Sequence, residues 1–81
     1  MVFNWGETHS VRYDTTSHHL SHGHYCIRID FNETTEEVYL IIYDPVTKPN
    51  KPVIVEKNSS FLSVESAKCW VERWVKLDLL V

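Results

Sequence analysis

Glycine and proline are scarce in this 81-residue sequence, at two and three residues. That scarcity excludes a disordered linker or a collagen-like repeat, and two glycines, Gly6 and Gly23, cannot build a phosphate-cradling glycine loop. No run approaches the roughly 18 apolar residues that a membrane-spanning helix needs. The first residues, Met1-Val2-Phe3-Asn4-Trp5-Gly6-Glu7, lack a basic start followed by an apolar stretch, so no secretory signal is expected and the chain reads as cytoplasmic. Cysteine is limited to Cys26 and Cys69, which match no paired spacing. Both are expected as free thiols that serve as small buried hydrophobes. Without a signal peptide, the Asn-x-Ser/Thr triplets at Asn32 and Asn58 are read as accidents of composition.

Aromatic residues are plentiful by contrast, with three Phe, four Tyr and three Trp. They help a single domain of this size, which buries only about 60% of the surface its unfolded chain exposes. One domain over residues 1–81 is expected.

The net charge is −3 with the histidines neutral, which argues against general nucleic-acid binding. The charge is unevenly spread. Residues 1–46 hold Arg12 and Arg28 against seven acids, a sum of −5, whereas residues 47–81 sum to +2. Asp30, Glu33, Glu36, Glu37 and Asp44 follow one another with no Lys or Arg between them. The group reads either as an acidic hairpin facing a basic partner or as a solvated turn.

Periodicity gives the elements. Tyr25, Ile27, Ile29 and Phe31 alternate with Cys26, Arg28 and Asp30, the period of two that a half-buried strand requires. Residues 37–43, Glu-Val-Tyr-Leu-Ile-Ile-Tyr, are rich in β-branched and aromatic side chains and predict a central strand paired antiparallel with the first. Pro45, Pro49 and Pro52 mark a stiffened loop before a short strand at 53–57. Ser63 is the expected N-cap, with Leu62 as the hydrophobic staple outside it. Val64, Ala67, Val71, Trp74 and Val75 then repeat at helical steps, and Lys68 with Glu72 forms an i,i+4 pair. Toward the N-terminus, the alternations Phe3/Trp5 and Val11/Tyr13 suggest one strand or two short pieces broken near Gly6. The His/Ser/Thr-rich stretch at 15–24 reads as a polar loop. The expected fold is α+β: an antiparallel sheet of three to four strands with one C-terminal helix packed on one face.

Three constellations bear on function. If a strand begins at His22, then His22, His24 and Cys26 share one face, and with His18 or His19 they offer imidazole and thiolate ligands suited to zinc. The competing reading is a polar loop running into a strand whose solvent face carries histidines. Cys26 beside His24 also invites a nucleophile–base reading, but no third orienting group or oxyanion donor is identifiable. The His-x-Glu and Pro-Cys-x-x-Cys elements of a deaminase are absent. No catalytic residue is therefore assigned and no cofactor is expected.

Second, Trp70 and Trp74 lie one helical turn apart, and Leu77 and Val81 continue the line. This strip either wraps onto the sheet edge or forms a partner or homodimer surface. The apolar end Leu77-Asp78-Leu79-Leu80-Val81 must be docked or shared with a partner. Third, Tyr39 and Tyr43 fall on one sheet face, as in sheets that stack single-stranded nucleic acid. Their nearby cations are only Arg28, Lys48, Lys51 and Lys57, and the acids of the adjacent turn oppose phosphate, so nucleic acid is kept only as an alternative.

In size, element order and the segment Phe61-Leu62-Ser63-Val64-Glu65-Ser66-Ala67-Lys68-Cys69-Trp70-Val71-Glu72, the chain resembles small proteins of phages and prophages, anti-CRISPR-type inhibitors among them. These share no common motif, so no functional residue carries over. The resemblance implies a small non-catalytic protein that binds a larger macromolecule, such as a phage-defence complex, and blocks it. Together these readings lead to a protein-binding module. Its expected contacts are the acidic hairpin (Asp30, Glu33, Glu36, Glu37) or the Trp70/Trp74 helix edge, and a His22/His24/Cys26 metal domain is the alternative.

Overall fold

A computed structural model of the chain describes residues 3–80, the side chains of 78–80 excepted. Five strands, β1 (Gly6–Ser10), β2 (Thr15–His22), β3 (Tyr25–Asn32), β4 (Val38–Tyr43) and β5 (Val53–Asn58), precede one helix, α1 (Val64–Leu80). The strands pair antiparallel in sequence order, so the sheet is an up-and-down meander. The fold is α+β with a five-strand sheet, against the expected three to four.

The difference lies in the N-terminal third. Val11 and Tyr13 are not in a strand. They sit in the β1–β2 turn and are 87% and 65% exposed. The stretch expected to be a polar loop is β2. Its inward residues are Thr16, His18, Leu20 and His22, of which only Leu20 is aliphatic. The strand is held by ladders to β1 and β3 on both sides rather than by an apolar stripe.

Alternation sorts the side chains of the sheet. On the covered face, Leu20, Ile27 and Ile42 form one row across the strands, and His18, Ile29 and Leu40 form the next. Ala67, Val71 and Val75 of α1 lie on them, and these nine residues with Val38, less His18, are the buried apolar core, each at most 5% exposed. Ser63 caps α1 as expected, accepting from the Ser66 amide at 3.2 Å. Leu62 does not act as a staple, being fully exposed. Phe61 takes that place, its ring 6.1 Å from Trp70.

Aromatic rings seal the helix flanks. Trp5 donates its indole N–H to Glu72 at 3.2 Å and lies under Lys68 at 5.5 Å. Lys68 and Glu72 thus both engage Trp5 instead of simply pairing along the helix. Trp74 packs edge-on against Tyr25 at 5.1 Å.

Candidate functional site

Among the described residues, no helix lies on the other face of the sheet. Reading across the register, it carries three rows: Ser21, Cys26, Tyr43 and Val53; His19, Arg28, Ile41 and Glu56; and Ser17, Asp30, Tyr39 and Asn58. One end of this grid is apolar. Cys26, Ile41 and Tyr43 are half-buried by their neighbours alone, and Val53 is 47% exposed. Around that strip the polar groups are paired. Tyr39 donates its hydroxyl to Glu56 at 2.5 Å, and this hydrogen bond, with partial burial behind it, raises the phenol above its usual range. Arg28 donates from Nε to Asp30 at 3.1 Å, and Ser17 donates to the other Asp30 oxygen at 2.7 Å. Asp30 therefore lies within the open face and opposes Arg28, rather than joining the acids of the β3–β4 turn.

Those acids gather at one end of the sheet. The Asn32 side chain accepts from the amides of Thr34 and Thr35, both at 2.9 Å, which folds the turn, and Glu36 takes a positive φ of 61°. The neighbouring β1–β2 turn is tied to it: the Glu33 amide donates to the Asp14 carbonyl at 2.8 Å, and the Thr34 hydroxyl donates to the Asp14 carboxylate at 2.6 Å. Asp14, Glu33, Glu36 and Glu37 are thereby brought to one exposed end. Glu33 accepts from the buried Thr16 hydroxyl at 2.7 Å, whose oxygen also contacts His9 Nδ1 at 2.9 Å. Asp14 is a member of this end that charge counting alone did not single out. Its signal was the turn-prone Tyr-Asp-Thr that ends the β1–β2 connection.

The histidine cluster does not assemble. Gly23, at φ 59°, starts the two-residue reversal between β2 and β3. His22 and Cys26 are therefore on different strands and opposite faces: His22 pairs with Tyr25 on the covered face, and Cys26 pairs with Ser21 on the open one. His24 occupies the turn, 3.7 Å from the Asp44 carboxylate. His18 and His19, adjacent on β2, also point to opposite faces. Among the described residues, no group of three or more His, Cys, Asp or Glu could hold a metal ion. The single strand from His22 to Cys26 that a zinc site required is replaced by a hairpin. The nucleophile–base pair loses its basis in the same way, since His24 turns toward Asp44.

Two polar groups, Asp44 buried and His18 partly buried, serve the frame. Asp44 is 2% exposed. Burial pushes its carboxyl up, but the Thr47 hydroxyl and amide, His24 and the Val46 amide together outweigh this and hold it below the usual range. It thus organises the β4–β5 loop. His18 lies on the covered face, 3.9 Å from Glu7. Burial and nearby Lys68 lower its imidazole pKa against the opposing pull of Glu7 and Glu65.

Trp70 and Trp74 are half-buried and engaged within the chain. Trp70 meets Phe61 and lies beneath Lys57 at 5.3 Å, and Trp74 meets Tyr25. Leu77 is 57% exposed. The expected docking of Leu79, Leu80 and Val81 falls on side chains outside the described residues. Among the described residues, no helix is long and apolar enough to cross a membrane. Comparisons with protein-family models, with curated proteins and with solved structures give no match.

Proposed function

We propose that the protein is a non-enzymatic binding module that docks onto a protein partner through the open face of its sheet. The observation that carries this reading is the composition of that face. An apolar strip of Cys26, Ile41, Tyr43 and Val53 is bordered by the Arg28–Asp30 and Tyr39–Glu56 pairs. Apolar centres with polar rims are what non-obligate interfaces are made of. The acids Asp14, Glu33, Glu36 and Glu37 at one end of the same sheet add direction, favouring a partner whose apolar ridge is flanked by Lys or Arg.

Single-stranded nucleic acid fits this face less well. Tyr39 commits its hydroxyl to Glu56, and Asp30 stands in the same row, so carboxylates would border any phosphate track. Occupying a larger macromolecule's working surface in the cytoplasm is the mode of action that the resemblance to small phage inhibitors suggests for such a module.

The test is affinity enrichment from the producing cell with three proteins: wild type, Ile41→Glu, and the triple reversal Glu33→Lys, Glu36→Lys and Glu37→Lys. All altered side chains are half-buried or exposed, so each variant is expected to fold. Ile41→Glu should abolish enrichment of the partner, and the reversal should weaken it most at low salt. Full retention of the partner by Ile41→Glu would refute the docking face.

A further inference from the structure

Beside the apolar strip, on the β1–β3 side of the open face, the sheet forms a depression of about 550 Å³. Ser17 and His19 of β2 and Arg28 and Asp30 of β3 line it, with the exposed Tyr13 of the β1–β2 turn at its rim. The volume falls within the range of small-ligand sites. We infer that this depression binds a pyranose ring, a neutral polyhydroxylated ligand, through the Arg28–Asp30 pair and the face of Tyr13.

Three features of the depression select that chemistry. Its fixed charges cancel: Arg28 and Asp30 lie side by side, joined at 3.1 Å. An anionic ligand would meet the carboxylate, and a cationic one would meet the guanidinium. The pair is also held in place with capacity left over. Arg28 uses Nε on Asp30, and its two terminal nitrogens have no acceptor among the described residues. Asp30 accepts one bond from Arg28 and one from Ser17, and a carboxylate has about four acceptor positions. A vicinal diol both donates and accepts at neighbouring oxygens, so it can donate to Asp30 while accepting from Arg28. Charge-assisted bonds of this kind are the stronger ones.

The third feature is the rim. Tyr13 is 65% exposed, and Arg12 lies over its ring at 5.3 Å from the centroid. A cation over one face leaves the other as a flat platform, to which the C–H face of a sugar ring is complementary. The turn that carries Tyr13 is braced: Thr15 donates to the Tyr13 carbonyl at 3.0 Å, and the Tyr13 amide donates to the Ser10 hydroxyl at 3.4 Å. His19 is likewise tied to Thr8 at 3.1 Å. The polar lining is therefore built before a ligand arrives. The depression shares the Arg28–Asp30 pair with the border of the docking face but none of its apolar strip, so sugar binding, read by titration, and partner binding, read by enrichment, are tested by different measurements.

The experiment is a two-dimensional amide NMR titration of the full chain. The probes are methyl glycosides of glucose, mannose, galactose and N-acetylglucosamine, the corresponding reducing sugars, acetate and inorganic phosphate. Saturable shifts centred on Tyr13, Ser17, Arg28 and Asp30 are expected with at least one pyranose. Binding of the methyl glycoside would identify a glycan attached to a larger molecule as the source, and binding of the reducing sugar alone would identify a free sugar. Asp30→Asn and Arg28→Gln should each weaken binding about tenfold or more. Tyr13→Ala, at an exposed turn position, should weaken it severalfold with unfolding unchanged, which guards against loss through misfolding. Absence of saturable shifts with every sugar, shifts confined to another surface, or equally tight saturation by acetate or phosphate would overturn the assignment.

Discussion

Adjacent residues of β4 carry the same side chain to opposite faces, which allows one substitution to be compared in two environments. Ile42 is fully buried in the core, and Ile41 is half-buried on the open face. Threonine keeps the β-branch at both sites, so strand propensity is nearly constant. At position 42 the change removes buried hydrocarbon, worth about 0.8 kcal/mol per methylene. It also buries a hydroxyl among aliphatic neighbours, which costs about 1–3 kcal/mol if unpaired. Ile42→Thr should therefore destabilise by about 2–4 kcal/mol. Total stability for a domain of this length is expected at about 4–12 kcal/mol, so the loss is large. It corresponds to a fall in Tm of about 10–30 °C at roughly 4–8 °C per kcal/mol. Ile41→Thr should cost less than about 1 kcal/mol, because the added hydroxyl meets water. Urea unfolding followed by tryptophan fluorescence at low protein concentration measures both. Equal losses at the two positions would refute the reasoning, because they would mean that the face assigned as open is covered in solution.

Four further outcomes follow from individual residues. Ser63→Ala removes the acceptor for the Ser66 amide and should lower stability by about 1 kcal/mol, read as a lower urea midpoint with unchanged slope. Gly23→Ala places a Cβ that meets nothing within 4 Å, yet φ is 59°; the backbone alone should then cost about 1–2 kcal/mol in the same assay. His18 has a folded pKa below the usual imidazole value of 6.5, so the unfolded chain takes up the proton first. Its contribution is full above pH 6.5, declines as pH falls toward the folded pKa, and is flat below it. Urea midpoints measured from pH 8 downward should show this decline in wild type and lose it in His18→Gln. Asp44, held below its usual value, adds a second loss only at more acidic pH, as pH falls through its folded pKa.

The sequence made some of these features readable and hid others for physical reasons. β3, β4 and α1 were legible because burial on one face imprints a period on the aliphatic residues, as in Ile27/Ile29 and in Ala67/Val71/Val75. β2 was not, because its inward positions are filled by Thr16, His18 and His22 as well as Leu20, and it is held by ladders that leave no compositional trace. Missing that strand misplaced the histidines. A face argument holds only within one strand, and the reversal at Gly23 changed the face of His22 relative to Cys26. Spacing alone also could not show that Asp30 lies opposite Ser17 beside Arg28, or that the Asp14 turn lies against the Glu33 turn. Both follow from the pairing register, which sets the neighbours across strands. The flanking contacts were hidden similarly: Lys68 and Glu72 have ideal helical spacing, and the contact that engages them comes from Trp5, 67 residues from Glu72 in sequence.

The central claim, that the open sheet face is the partner surface, is most directly tested by site-specific photo-crosslinking in the producing cell. One probe residue replaces Tyr43 on the open face, and another replaces Cys69 on the exposed side of α1. The account predicts a discrete crosslinked protein from position 43, lost when Ile41→Glu is added, and no such product from position 69. Crosslinking of the same protein from position 69 but not from position 43 would contradict it.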